Sequence, residues 1–265
     1  MTVSFKPRRF RSTVPYYARY RLSYPDKLVG FVAERCGVGV GTRLLDLGCG
    51  PGLLAVGFAR LGASVTAMDP EPDMLAAAQG HARESNVTLE VVEGSSYDLN
   101  AGLGPLRVVT MGRSFHWMDR PATLAALDGL IERGGAVVLF DDRRIVSPGM
   151  HWRTLVEQLH DKFMPAQTAR RRQRKLEDDR HEAVLLRSAF SDLERYGVVF
   201  TRTLGPDEIV GWVYSTSTTS PEALGDRRAD FEADLRAGLA TLSPGGEFSE
   251  IVEVSALIAK RPGEG

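Results

Sequence analysis

Apolar residues in this chain gather into short, largely unbroken runs, and helix-period stretches separate them. The runs fall at 43–47, Ser64–Met68, Thr88–Val92, Leu106–Met111 and Ala136–Phe140. Runs of this length with little polar alternation mark strands buried on both faces of a parallel sheet. Helical patterns fill the gaps. One starts at Pro25 and continues to about Cys36, with Leu28, Val29, Phe31 and Val32 on its apolar face. A second carries Leu53, Leu54, Val56 and Phe58 and stops at Gly62, and a third starts near Asp73. A fourth covers about Pro121–Glu132, with Gly134-Gly135 as its end. Five strands alternating with helices predict a parallel sheet with right-handed crossovers.

After Asp142 the pattern changes. Residues 148–190 hold no strand-like run and read as helices, with Trp152, Leu155, Val156, Leu159 and Phe163 as one apolar stripe. A sixth strand fits Arg195–Thr203, and a helix follows from Pro206 to about Tyr214. Another helix has Ser220 as its cap and Pro221 in its first position, and a last strand covers about Ile251–Lys260. The expected fold class is α/β, a doubly wound, mostly parallel sheet of seven strands with a helical cap inserted after strand five. The expected division is an arm and lid helix at 1–35, a ligand-binding core at 36–144 and 193–265, and a cap for substrate at 145–192.

Composition narrows the function classes. At 265 residues, with 43% hydrophobic and 25% charged residues, the chain is sized for one large α/β domain with a cap. A net charge of −1 gives no global field for nucleic acid or an anionic membrane, so neither is expected as a partner. No apolar run is long enough to span a bilayer. Met1–Arg11 is basic, with Lys6, Arg8, Arg9 and Arg11, but lacks the apolar segment of a secretory signal. Two cysteines, Cys36 and Cys49, make a disulfide framework unexpected and fit a cytoplasmic location. The block Arg170–Lys175 is followed at once by Glu177-Asp178-Asp179, which favours a solvated helix face over an anion anchor.

The chemistry centres on Leu44-Leu45-Asp46-Leu47-Gly48-Cys49-Gly50-Pro51-Gly52-Leu53. A buried strand that runs into alternating glycines and then a helix lets the backbone turn sharply and come close to a nucleotide-like ligand. Cys49 is a small filler within that turn and is counted with it. The dinucleotide fingerprint wants a small residue where Leu53 stands, and Pro51 removes an N–H that would grip a pyrophosphate. Asp46 would repel a pyrophosphate but suits an ammonium or sulfonium group, and S-adenosylmethionine carries both. Asp69, at the end of strand two, suits the two ribose hydroxyls. Its alternative role is a helix cap, which Asp73 can fill. Met74 stands where it can sandwich adenine, beside Pro70 and Leu75.

These two stretches, Leu44–Gly52 and Val65–Leu75, resemble the class I S-adenosylmethionine-dependent methyltransferases, whose sheet is Rossmann-like. The resemblance covers roughly residues 40–142. Tyr20-Arg21-Leu22-Ser23-Tyr24-Pro25 and Ser114-Phe115-His116-Trp117-Met118-Asp119 further resemble the trans-aconitate methyltransferase-like branch, in the methyltransferase type 11 group. The resemblance implies S-adenosyl-L-methionine as cofactor and a small molecule as methyl acceptor. It implies that Tyr17 and Arg21 reach the methionine carboxylate. It also implies that the segment after strand four lines the cofactor (Arg113, Ser114) and the acceptor (Phe115, Trp117), with Tyr20 and Trp152 adding to the acceptor pocket. Ser95 stands where the family commonly has an acid for adenine, with Ser96 and Tyr97 beside it. His116 is the candidate catalytic base, or else a wall of the pocket. Oxygen, as carboxylate or hydroxyl, is the expected acceptor atom, with nitrogen and carbon open. The rival readings are an S-adenosylmethionine-binding protein that does not methylate and a nicotinamide-dependent oxidoreductase. His81, His151, His160 and His181 form no metal-binding spacing, so no metal is expected.

Overall fold

A computed structural model describes residues 11–145, 151–169 and 180–263. Lys6, Arg8, Arg9 and the charge block at 170–179 lie outside the described residues. The first elements are α1 (Val14–Tyr20), α2 (Asp26–Cys36), β1 (Arg43–Leu47), α3 (Leu53–Arg60), β2 (Ser64–Asp69), α4 (Pro72–Glu84), β3 (Glu90–Glu93) and β4 (Leu106–Gly112). Next come α5 (Arg120–Asp128), β5 (Ile131–Ile145), α6 (His151–Phe163), α7 (His181–Leu185) and β6 (Asp192–Leu204). The chain continues through α8 (Pro206–Tyr214), α9 (Pro221–Leu224), α10 (Arg228–Leu242) and β7 (Phe248–Lys260).

The seven strands form one sheet in the order β3-β2-β1-β4-β5-β7-β6. The first five pair in parallel, and β7 runs antiparallel between β5 and β6. The central strands read as solid apolar runs because both their faces are covered. Leu44, Val65, Val108 and Val138 pack on one side with Val29 and Phe58. Leu45, Val109, Val137 and Leu139 pack on the other with Leu124 and Phe190. A third cluster joins α6, α8 and α10 through Trp152, Val213 and Phe231. The apolar stripe of α6 is therefore turned onto α10 and α8, which join the expected cap to the C-terminal helices.

One expected boundary is corrected. Gly134-Gly135 does not end a helix. α5 stops at Asp128, and the glycines lie inside β5. Leu106 pairs with Ile131 while Val108 pairs with Ala136, so β5 carries extra residues at that point. Gly134 sits at φ +70, and a Cβ on Gly135 would come within 2.7 Å of the Arg107 carbonyl. The pair therefore makes a bulge that needs glycine.

Candidate functional site

Gly48, Gly50 and Gly52 all take positive φ, at +71, +54 and +78. The turn hangs from the end of β2, since Gly48 N–H and Cys49 N–H both donate to the Met68 carbonyl, at 2.8 and 3.0 Å. Asp69 clamps it further. Its Oδ2 accepts from Gly50 N–H at 2.8 Å and its Oδ1 from Glu71 N–H at 3.0 Å. One carboxylate thus ties the turn to the start of α4. Space above the three glycines differs. A Cβ on Gly48 would meet Ser114 Cβ at 2.6 Å, and one on Gly52 would meet Ala78 Cβ at 3.0 Å. Above Gly50 the nearest atom is Met74 Sδ at 4.0 Å. Gly50 is therefore the glycine whose backbone faces open space.

Asp46 lies beneath the turn and lines the same cleft. Only 1% of it is exposed. Its Oδ2 accepts from Ala55 N–H at 3.1 Å and its Oδ1 from the Thr110 hydroxyl at 2.8 Å. Burial outweighs these two bonds and pushes the carboxyl up to about 7. Burial raises Asp69 as well, and raises the Cys49 thiol. Two acids that resist ionisation around one cleft are suited to a cationic, hydroxyl-bearing ligand.

The N-terminal segment closes the other side. Tyr17 and Tyr24 line the cleft with Gly48, Gly50 and Gly112, leaving a volume of about 20 Å³. Arg21 stacks on Tyr17 at 4.9 Å and donates to the Ser215 carbonyl at 3.2 Å. Arg113, at φ +57, places its guanidinium 4.5 Å from the Tyr24 ring centre and donates to the Leu22 carbonyl at 2.8 Å. It also pairs with Asp142, which pairs in turn with Arg144. Glu250, fully buried, joins Arg144 to Arg202. Tyr24, Asp142, Arg144, Arg202 and Glu250 were missed by sequence reasoning. Apart from the Asp142–Arg144 pair their partners lie far away in the chain, and for the four charged residues the one available signal was charge placed inside strand-like segments.

Other expected residues are distributed as follows. Ser95 donates through its N–H and its hydroxyl to Asp98 Oδ2, both at 2.8 Å, which holds the Asp98 carboxyl below its usual range. The acid near this position is thus Asp98. Tyr97 is exposed, Ser96 and Pro70 are half-buried, and Met74 is buried. Tyr20 lies flat on α8, where a Cβ on Gly211 would come within 2.2 Å of its ring. His116 sits in a short turn of helix after β4, half-buried, its ring 4.8 Å from Trp117 and 6.5 Å from His181. His116 and Trp117 are not among the residues that line the cleft at the glycine turn.

Three of the expected contact residues are held by packing. The Ser114 hydroxyl donates to the Leu47 carbonyl at 2.8 Å and its Cβ fills the space over Gly48, so it packs the strand ends. Phe115 is 2% exposed and belongs to the core beneath the sheet. Trp152 is 1% exposed and meets Trp212 edge-on at 5.8 Å inside the third cluster. Large apolar side chains in these segments are consumed by packing before they reach a pocket. Among the described residues, no group of three or more His, Cys, Asp or Glu is placed to hold a metal ion. No helix among them is long and apolar enough to cross a membrane. Both cysteines are free.

A known family shares this arrangement. Residues 44–135 match the family model described as a methyltransferase domain. A ubiquinone biosynthesis O-methyltransferase from Cronobacter sakazakii is 39% identical over 111 residues, which is 41% of this chain and 46% of that protein. The chain thus spans a little under half the length of the curated relatives it matches. Two solved structures share the fold well beyond the methyltransferase domain. A candidate type II methyltransferase from Anaeromyxobacter dehalogenans has a TM-score of 0.60 at 20% identity, covering 91% of this chain and 98% of that one. An S-adenosylmethionine-dependent methyltransferase from Geobacter sulfurreducens, in complex with S-adenosyl-L-homocysteine, has a TM-score of 0.51 at 15% identity, covering 95% and 98%.

Proposed function

We propose that this chain transfers a methyl group from S-adenosyl-L-methionine to an oxygen of a small-molecule acceptor. The observation that carries the reading is the glycine turn clamped by Asp69, with buried Asp46 beneath it and open space over Gly50. The naming of the matched relatives as O-methyltransferases supports oxygen as the acceptor atom.

In this reading the cofactor, when bound, supplies a methyl group already activated by a positive sulfur. The chain's own residues do the rest. Asp46 offers its carboxylate to the positive end, and its position between Ala55 N–H and Thr110 keeps that charge fixed. Asp69 keeps lone pairs for the ribose hydroxyls beside the two backbone N–H groups it already accepts. Gly50 gives its backbone to the ligand, Met74 supplies an apolar wall, and Ser96 and Tyr97 border the adenine. Tyr17 and Arg21 take the methionine carboxylate, and the segment 1–35 excludes water over it. His116 accepts the acceptor's proton where the acceptor is a hydroxyl. The cap at 145–192 and the short helix at His116 enclose the acceptor, within a cytoplasmic enzyme.

Incubation with methyl-labelled cofactor and candidate hydroxy acids and phenols, followed for S-adenosylhomocysteine release, tests the reading. Release together with a labelled acceptor is expected. Cofactor binding without release would make the chain a binding protein, and tighter binding of NAD in calorimetry would overturn the cofactor. With an acceptor in hand, His116→Ala is expected to lower kcat by about 10²–10⁴-fold with cofactor affinity unchanged. Unaltered kcat would leave His116 a packing residue.

A further inference from the structure

Next to the cleft lies a second cavity, of about 130 Å³, whose lining comes from the N-terminal segment on one side and from β6 and α8 on the other. Three arginines line it, Arg19, Arg21 and Arg202, with one acid, Glu208. That carboxylate is partly engaged, since Glu208 Oε2 accepts from Gly205 N–H at 2.7 Å and caps α8. Arg202 Nε donates to Glu250 at 2.6 Å, but Glu250 is shared with Arg144. Among the described residues no carboxylate forms an ion pair with Arg21, and its Nε is buried without a hydrogen bond. Burying the Arg21 guanidinium with an unpaired donor, in a cavity lined by two further arginines and one acid, is costly unless an acceptor is supplied. A group with several negatively charged oxygens removes this cost, and the arginine fork matches carboxylate and phosphate alike. The volume admits such a group, since a water occupies about 30 Å³ of liquid.

We propose that this cavity is a binding site for the carboxylate or phosphate group of a small anion, which bridges Arg19 to Arg202 beside Arg21. None of the cavity's lining residues lines the cleft at the glycine turn, so the two are separate cavities. The site is coupled to the turn through Arg21, which stacks on the cleft-lining Tyr17. An anion here pins the N-terminal segment against β6 and holds the cleft closed. The assignment goes beyond methyl transfer and does not depend on it.

Calorimetry on the full chain without cofactor, in Tris chloride at low ionic strength, tests the site with malonate, inorganic phosphate and neutral malonamide as probes. Malonate, phosphate or both are expected to bind, and malonamide is expected not to. The tighter of the two anions names the ligand as a carboxylate or a phosphate ester. Arg202→Gln is expected to weaken anion binding by about tenfold or more, and Arg19→Gln by less, as Arg19 is the more exposed. Glu208→Gln removes the opposing charge and is expected to tighten binding a few-fold. Because Arg202→Gln leaves buried Glu250 with fewer partners, a melt accompanies it. If that variant does not fold, Arg19→Gln and Glu208→Gln carry the test. Equal behaviour of malonate, phosphate and malonamide, or unchanged affinity in both Arg19→Gln and Glu208→Gln, would overturn the site.

Discussion

At the scale of single residues, Asp46 sets an unusual pH dependence. Burial holds its carboxyl at about 7 in the folded chain, against an ordinary value near 4 once unfolded. Between these values the folded state keeps a proton that the unfolded state has lost. Stability therefore falls as pH rises through this window and levels off above about 7. Asp46→Asn keeps an oxygen for Ala55 N–H and an amide for the Thr110 hydroxyl, but removes the titration. Urea unfolding of both proteins from pH 5 to 8 is expected to show wild type losing stability relative to the variant by up to about 3 kcal/mol. Cofactor affinity moves the opposite way. A positive ligand favours ionised Asp46, so wild-type affinity is expected to rise with pH up to about 7 and flatten above it. The asparagine variant is expected to bind more weakly with little pH dependence. Parallel profiles for the two proteins in both measurements would remove Asp46 from the account.

At the scale of elements, the glycine turn separates fold from ligand. Gly48→Ala places a methyl 2.6 Å from Ser114 Cβ at φ +71, and Ser114 is held by its bond to Leu47. Gly50→Ala bears only the strain of φ +54, since nothing but Met74 Sδ comes as near as 4.0 Å. Gly48→Ala is expected to lower Tm clearly, by more than 2 kcal/mol or so of stability, whereas Gly50→Ala costs about 1–2. Gly50→Ala is expected to show the larger loss of cofactor affinity relative to its loss of stability. The same elements show what the sequence made legible. β1, β2 and β4 were readable because strands covered on both faces leave nothing but apolar positions. β3 slid from the expected Thr88–Val92 to Glu90–Glu93, since an edge strand pairs on one side only and its pattern is weak. β5 continues past Phe140 because Asp142 and Arg144 pair with each other and with Arg113 and Glu250. Charges read as loop when their partners lie on strands that the chain reaches only later.

At the scale of the whole molecule, the site is finished by packing between distant parts of the chain. β7 returns antiparallel between β5 and β6, and brings Glu250 to Arg144 and Arg202 at the carboxyl edge of the sheet, where α/β ligands bind. The N-terminal segment then docks on the C-terminal helices. Tyr16 meets Tyr214 edge-on at 5.2 Å and accepts from Arg228 at 3.1 Å, Arg21 donates to Ser215, and Tyr20 lies on Gly211. Gly211 is the contact most sensitive to change. A methyl there would lie 2.2 Å from the Tyr20 ring, too close for the ring to remain. The ring can leave without opening the two faces of the sheet, because its contacts are to α8 and not to those cores. Gly211→Ala is therefore expected to lift α1 while most of the fold persists. Hydrogen exchange is expected to quicken at Val14–Tyr20 and remain slow in β1 and β4. Cofactor dissociation is expected to quicken by about tenfold, the equivalent of 1.4 kcal/mol of lost closure. Tyr20→Ala, which removes the ring and leaves the glycine, is expected to act in the same direction. If exchange at α1 is unchanged in both variants, its seat over the cleft does not depend on the Tyr20–Gly211 contact, and Tyr16 and Arg21 must hold it.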